Sequence, residues 1–249
     1  MTIVNPSENW QSWREAAWGW FYPNWCHLCD SERAIRAHGY VGDRCRGQVK
    51  QIVPPFCQCC GLPFEGTMTN AFTCTHCQEA PFDFEFARAS VIGGEMVLNA
   101  LHRYKYHRAL WLEPCLSRWL LDAALAPLIG QGWTCIVPVP LHPVRERERE
   151  FNQATRLARH LGKALGIPVR DGWVIRVIPT PSQTRLNRVE RANNMRDAFI
   201  AKPSASASGE SVIILDDIFT TGATTNAVAR VLKQLGAARV CIWTLARAV

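Results

Sequence analysis

The stretch VIILDDIFTTGAT at 212–224 restricts the possible folds more than any other part of the chain. Its first four residues, with Ser211 before them, form a short β-branched run of the kind that fills a central parallel strand buried on both faces. Downstream, Ala227, Val228, Val231, Leu232 and Leu235 recur at helical spacing up to Gly236. Residues 216–224 therefore read as a strand-to-helix loop. In an open α/β sheet such a loop lies where ligands bind, at the carboxyl ends of the strands, and the following helix offers unpaired N–H groups and a favourable dipole to an anion.

The loop's side chains narrow the ligand. Thr220, Thr221, Gly222, Ala223 and Thr224 are small enough to let a phosphate approach the backbone, and three hydroxyls can add hydrogen bonds. Asp216 and Asp217 cannot bind that phosphate; they suit the neutral hydroxyls of a sugar attached to it, or a magnesium ion. Jointly these residues describe a sugar 5-phosphate with vicinal hydroxyls. The plainer alternative is a capped helix after a strand, with no ligand. Dinucleotide-fold and P-loop readings fail, because the chain holds neither GxGxxG nor GxxxxGK[ST].

The upstream sequence supports a parallel sheet covered by helices. From Phe84, FEFARASVI looks like a strand, EMVLNALHRYKYH and LWLEPCLSRWLLDAALAPL like helices, and TCIVPVP like a buried strand running into a loop. NQATRLARHLGKALG is an amphipathic helix ending at Gly166, after which IPV and WVIRVI return to strand character. This alternation favours an α/β fold. KPSASASGE, at 202–210, is a low-complexity loop without evident chemistry.

Cysteine usage divides the chain. Its 249 residues suffice for one ordinary domain with an appendage or for two small domains. Eight of the 11 cysteines precede residue 78, where composition shifts toward Leu, Ala, Val and Arg, so a cysteine-rich lobe is expected over 20–80 and an α/β domain over 84–249. CQCCGLP supplies Cys57 and Cys60, and CTHC supplies Cys74 and Cys77, with 13 residues between the two pairs. Four thiolates so spaced can close a tetrahedron around structural zinc, with Gly61 letting the backbone curl. Upstream, Cys26 and Cys29 are followed by Cys45, but Gln48 stands where a second knuckle would place a sulfur. A second zinc there could recruit Cys59, His27 or His38; the alternative is a site given over to packing. Metal binding would supply much of such a lobe's folding energy.

The first residues, MTIVNPSENWQSW, lack the basic start and apolar run of a secretory signal, and LSRWLLDAALAPLIG, broken by Arg118 and Asp122, reads as a core helix rather than a membrane span. A cytoplasmic protein without membrane insertion is expected, and in that compartment the cysteines point to metal rather than disulfides. The net charge of +7 is concentrated, with 12 basic against 6 acidic residues over 136–200. Anionic partners such as phosphates or nucleic acid fit that excess, and so does a solvated basic face.

The residues 212–224 resemble the phosphoribosyl pyrophosphate (PRPP) motif of type I phosphoribosyltransferases, with Phe219 bulkier than the usual aliphatic. The order of the cysteine segments, LHRYKYHRAL, VPVPLHPVRERERE, FNQA, SQTRLNRVERANNMRDAF and the PRPP motif is similar to the ComF/GntX family, from Cys26 to Ala248. His107 and Glu150 stand where that family commonly has glycine. The resemblance implies a type I phosphoribosyltransferase fold with an N-terminal double zinc ribbon-like lobe, PRPP bound with Mg²⁺, and a role with single-stranded DNA and other competence proteins in DNA uptake.

By the same resemblance Asp216 and Asp217 would orient the ribose and favour positive charge on its ring, as the catalytic pair of a pentosyl transfer to an unidentified acceptor. Val139, Pro140, Leu141 and His142 would face the pyrophosphate on a turn stiffened by Pro138 and Pro140. Lys105, with Arg145, Arg147 and Arg149, could neutralise pyrophosphate, although RERERE also suits a solvated helix face. Asn152, Gln153, Gln183, Asn187, Arg188, Arg191 and Asn194 have the character of a flap over the substrate, or of a plain exposed helix. Two alternatives stay open: a non-catalytic PRPP- or nucleic-acid-binding module, and a nucleobase phosphoribosyltransferase of salvage metabolism. The zinc lobe reads as structural in preference to a DNA or partner contact, the other reading it admits, since no basic cluster surrounds Cys57 to Cys77.

Overall fold

The computed structural model describes residues 24–64, 66, 71–79, 82–178 and 197–248. The cysteine segments come first and contain two short helices, α1 (Asp43–Gly47) and α2 (Thr75–Glu79). The α/β part then runs β1 (Ala87–Ile92), α3 (Glu95–Tyr106), α4 (Glu113–Leu128), β2 (Cys135–Pro138), α5 (Pro143–Arg149) and α6 (Gln153–Leu165). It ends with β3 (Val174–Arg176), β4 (Phe199–Ala201), β5 (Ser211–Phe219), α7 (Ala223–Gln234) and β6 (Arg239–Arg247).

Four parallel strands, in the order β1-β6-β5-β2, form the central sheet. Because side chains alternate along a strand, each apolar strand feeds two cores. Ile213, Leu215, Cys241, Trp243 and Leu245 pack on one side with Leu101 of α3, Leu116 and Leu120 of α4 and Leu157 and Leu161 of α6. Val212, Ile214, Val240 and Ile242 pack on the other with Val228 and Leu232 of α7 and with Val174 and Phe199 of the antiparallel β3–β4 pair. Each such fully buried aliphatic side chain contributes about 1.5–3 kcal/mol. The cysteine segments join both cores: Cys26 and Cys45 the first, Cys57 and Cys60 the second.

A buried polar knot ties the three helices of the first layer. Glu113, at the start of α4, accepts hydrogen bonds from Tyr104 Oη of α3 at 2.8 Å and from Arg156 of α6, and lies 2.7 Å from His160 Nε2. Burial alone would raise its carboxyl; hydrogen bonds from His160, Arg156 and Tyr104 outweigh that and hold it at about 2. This knot fixes the last turn of α3, which carries Lys105.

Three elements differ from the sequence expectation. Strand β5 runs through the acidic pair to Phe219, because parallel pairing with β6 continues through Asp216 opposite Thr244 and Phe219 opposite Arg247. Backbone pairing, indifferent to side-chain polarity, thereby reduces the loop to 220–222. IPV makes only an isolated bridge, Val169 to Ile136, and WVIRVI contributes only the three residues of β3. Among the described residues no helix is long and apolar enough to cross a membrane.

Candidate functional site

Adjacent residues on a strand point to opposite faces. Asp217, only 5% exposed, turns toward the α3 side, where its Oδ2 contacts the Lys105 ammonium. Burial pushes Lys105 down to about 8, against the attraction of Asp216. Asp216 itself is pushed up to about 6 by burial, with Lys105, Arg176 and Arg149 pulling the other way. Its Oδ1 accepts the N–H of Asp217 at 2.8 Å. Lys105 of α3 thus touches the pair directly, while Arg149 of α5 and Arg176 of β3 act on Asp216 through their charge. Arg149 is held by Tyr106 Oη at 3.0 Å and Gln153 Oε1 at 3.2 Å, and Arg176 lies over the Phe199 ring at 5.5 Å. Sequence reasoning missed Arg176, whose only signal was a cation inside an otherwise apolar strand.

The loop closes on Gly222, which adopts φ 81° and caps α7. A Cβ there would lie 2.7 Å from Cζ of Phe219 and 3.3 Å from Cε1 of Phe82, so both the conformation and the space demand glycine. Thr225 Oγ1 donates to Gly222 O at 3.1 Å, and Thr221 Oγ1 accepts the N–H of Ala223 at 3.4 Å. The loop therefore leads from the acidic pair straight into the first turn of α7, whose backbone N–H groups suit an anion. Phe219 anchors its base: Phe84 stands edge-on at 6.5 Å, and the guanidinium of Arg247 covers its ring at 4.6 Å.

The turn at 139–142 approaches the same strand ends. Val139 N–H donates to Leu215 O at 2.9 Å, extending the β2 ladder past Pro138, and Asn152 Nδ2 donates to Val139 O at 3.0 Å. Asn152 also caps α6 by accepting the N–H of Ala154 at 2.9 Å, and His142 Nδ1 caps α5 by accepting the N–H of Val144 at 3.3 Å. Within RERERE, Arg149 bonds Tyr106 and Gln153 and favours the charged form of Asp216, Arg145 pairs with Glu148 at 3.0 Å and Arg147 is exposed. Glu150 has the left-handed φ of 66° that suits a glycine position, whereas beside His107 the left-handed residue is Arg108, at 52°. These two pair with each other at 2.9 Å. The flap residues Gln183, Asn187, Arg188, Arg191 and Asn194 lie outside the described residues.

Both cysteine centres assemble. The sulfurs of Cys57, Cys60, Cys74 and Cys77 lie within 4.8 Å of one another, with Cys60 to Cys74 at 3.7 Å and Cys74 to Cys77 at 3.5 Å. A tetrahedral zinc with Zn–S of about 2.3 Å puts its sulfurs about 3.8 Å apart, so this donor set fits structural zinc. Gly61 has φ 66°, the curl expected of the knuckle. Arg247, 4% exposed, donates from Nη2 to Cys60 Sγ at 3.5 Å and so links this centre to Phe219 at the base of the loop. In the first centre Cys26, Cys29 and Cys45 gather with Glu32, not with the three donors considered from sequence. His27 packs its ring 5.5 Å from both Tyr40 and Trp111, His38 faces Asp43 at 4.0 Å, and Cys59 lies with the second core.

Comparison with known proteins matches two regions of the chain. Residues 17–79 match the double zinc ribbon domain, and residues 152–248 match the phosphoribosyl transferase domain. The chain is 30% identical to competence protein F of Haemophilus influenzae over 230 residues, covering 90% of this chain and 96% of that protein. It is 31% identical to the DNA utilization protein YhgH of Salmonella typhimurium, covering 90% of this chain and 97% of the relative. Competence protein ComFC of Bacillus subtilis is 27% identical, with 89% and 94% covered.

Proposed function

The chain belongs to the ComF family of competence and DNA-utilization proteins, with a phosphoribosyltransferase-like fold, and from that premise we propose that it binds PRPP or a related ribose phosphate, with magnesium, in the service of DNA uptake. One observation carries the reading: a buried carboxylate, Asp217, held by Lys105 next to Asp216, on which Lys105, Arg176 and Arg149 act electrostatically, just before a glycine-pinned loop that leads into a helix N-terminus. In this reading the 5-phosphate sits against residues 220–224 and Asp216 and Asp217 accept hydrogen bonds from the ribose hydroxyls. The cations and magnesium meet the pyrophosphate, which also approaches Val139, Pro140, Leu141 and His142.

Such a site suits displacement at the anomeric carbon. The bond to pyrophosphate breaks with its electron pair leaving on oxygen, while an acceptor's lone pair forms the new bond; the carboxylates favour the positive charge that develops on the ring. Salvage of a nucleobase is one such transfer. A binding module would use the same contacts without that step, so pyrophosphate release separates transferase from module.

Titration calorimetry of the zinc-loaded protein with PRPP and magnesium tests the binding, beside the Asp216→Asn/Asp217→Asn double variant. Saturable heat from the wild type and its loss in a folded variant support the reading; no heat from the wild type sinks it.

A second reading places single-stranded DNA beside this site. Tyr106 and Trp111 are 54% and 41% exposed, and Arg149 stacks on Tyr106 at 4.7 Å, an aromatic and cationic surface of the kind on which unpaired bases stack. Salt-sensitive binding of an oligonucleotide, kept in Asp216→Ala and weakened in Tyr106→Ala, is the result expected. Equal binding by Tyr106→Ala moves the contact elsewhere. The cytoplasm and other competence proteins are the compartment and partners this reading entails.

A further inference from the structure

The first cysteine centre has three sulfurs and a carboxylate where the second has four sulfurs. Gln48, at the position where a matching knuckle would place its last thiol, is exposed at the C-cap of α1. Instead the chain folds back after Cys29 so that Cys26 N–H donates to Glu32 O at 2.7 Å, which brings Glu32 beside the knuckle. Its oxygen joins the three sulfurs within 4.8 Å.

Several features direct that carboxylate inward. Arg44 N–H donates to Glu32 Oε2 and Cys45 N–H to Oε1, both at 3.0 Å, which fixes its orientation and leaves Oε1 3.8 Å from Cys29 Sγ. Ligating carboxylates are commonly held by such outer hydrogen bonds. Gly42 makes the room: a Cβ on it would lie 2.1 Å from Cδ of Glu32, although its φ of −72° is one any residue adopts. The N–H of Gly42 donates to Cys26 Sγ at 3.3 Å, as backbone amides do around a bound thiolate. In charge, three thiolates and a carboxylate equal four thiolates, so a bound dication would leave the same net negative charge as in the second centre. A histidine or glutamine would not preserve this.

We propose that Glu32 is the fourth metal ligand of the first ribbon, giving a three-thiolate, one-carboxylate zinc site beside the four-thiolate site of Cys57, Cys60, Cys74 and Cys77. A carboxylate is a harder donor than a thiolate and holds zinc less firmly in a sulfur-rich set, so the first ribbon releases its metal before the second. This goes beyond the ribose-phosphate reading and does not depend on it.

Zinc content and zinc release to a chromophoric chelator, measured on the full chain, test the assignment without any ribose phosphate present. The wild type is expected to carry two zinc ions released in two phases. Glu32→Gln, which keeps an oxygen to accept the amide bonds but is a poor ligand, speeds the fast phase by about tenfold or more. Glu32→Cys slows that phase toward the other, and after cobalt replacement its sulfur-to-metal charge-transfer band grows by one thiolate's share. Both zincs leaving Glu32→Gln at wild-type rates would show Glu32 to be only a brace for α1 and overturn the proposal. An unchanged cobalt spectrum in Glu32→Cys overturns it too, and this arm stands even if Glu32→Gln does not fold.

Discussion

Replacing Gly222 with alanine probes the geometry on which the candidate site depends. At φ 81° an L-residue costs about 1–2 kcal/mol in backbone strain. The new Cβ would also stand 2.7 Å from Phe219 Cζ, and that ring cannot easily retreat, since Arg247 covers it at 4.6 Å and Phe84 meets its edge at 6.5 Å. Overpacking of this kind costs about 1–3 kcal/mol, so Gly222→Ala is expected to lose about 2–5 kcal/mol in urea unfolding of the zinc-loaded protein. Combining it with Phe219→Val isolates the steric part: the clash disappears while the backbone cost remains. The double variant should then be more stable than the sum of the singles by about 1–3 kcal/mol. A loss below about 1 kcal/mol in the single variant, or strict additivity in the cycle, would refute the argument that Phe219 and Gly222 were fitted to each other.

Three further perturbations have definite expected outcomes. Because Asp216 is raised to about 6 in the folded protein, the native state holds its proton more tightly than the unfolded chain; stability falls as pH rises from about 4 through 6. Asp216→Asn should flatten that slope in pH-dependent urea midpoints, and PRPP–magnesium affinity of the wild type should rise over the same window; an identical slope in the variant refutes the assignment. Glu113, depressed to about 2, behaves in the opposite sense: its contribution is complete above its ordinary value near 4.3 and disappears as pH falls through 2. Glu113→Gln should cost about 1–3 kcal/mol at neutral pH, allowing for the partial exposure of Arg156 and His160, and shrink the acid-side loss in the same titration. Arg247→Gln removes the buried guanidinium from Cys60 Sγ, so zinc release from the second ribbon should quicken about tenfold in a chelator assay; an unchanged rate would mean that the contact does not stabilise the metal centre.

Local pattern made much of the molecule legible. The β5–α7 unit was readable because a buried strand and an amphipathic helix have different apolar periods, and the thiol knuckles because two cysteines three apart share one turn. Lys105 and Arg149 were candidates before the fold was known; Lys105 contacts Asp217, and Arg149 acts on Asp216 through its charge. Arg176 was not legible: its approach to Asp216 depends on a short hairpin strand docking across the second core. Nor was Glu32, because nothing in the spacing of cysteines announces a carboxylate.

The sequence alone determined most of the order of elements, the four-cysteine centre and the composition of the phosphate-sized loop, all of which follow from residues within a turn or a strand of one another, and left the three-cysteine centre open. Tertiary structure decided how far β5 extends, which cations act on its carboxylates, and that a glutamate completes the first centre. Those outcomes rest on strand pairing and burial between segments distant in the chain. Asp216 lies on a strand and not in a loop because Thr244, 28 residues away, supplies its backbone partner.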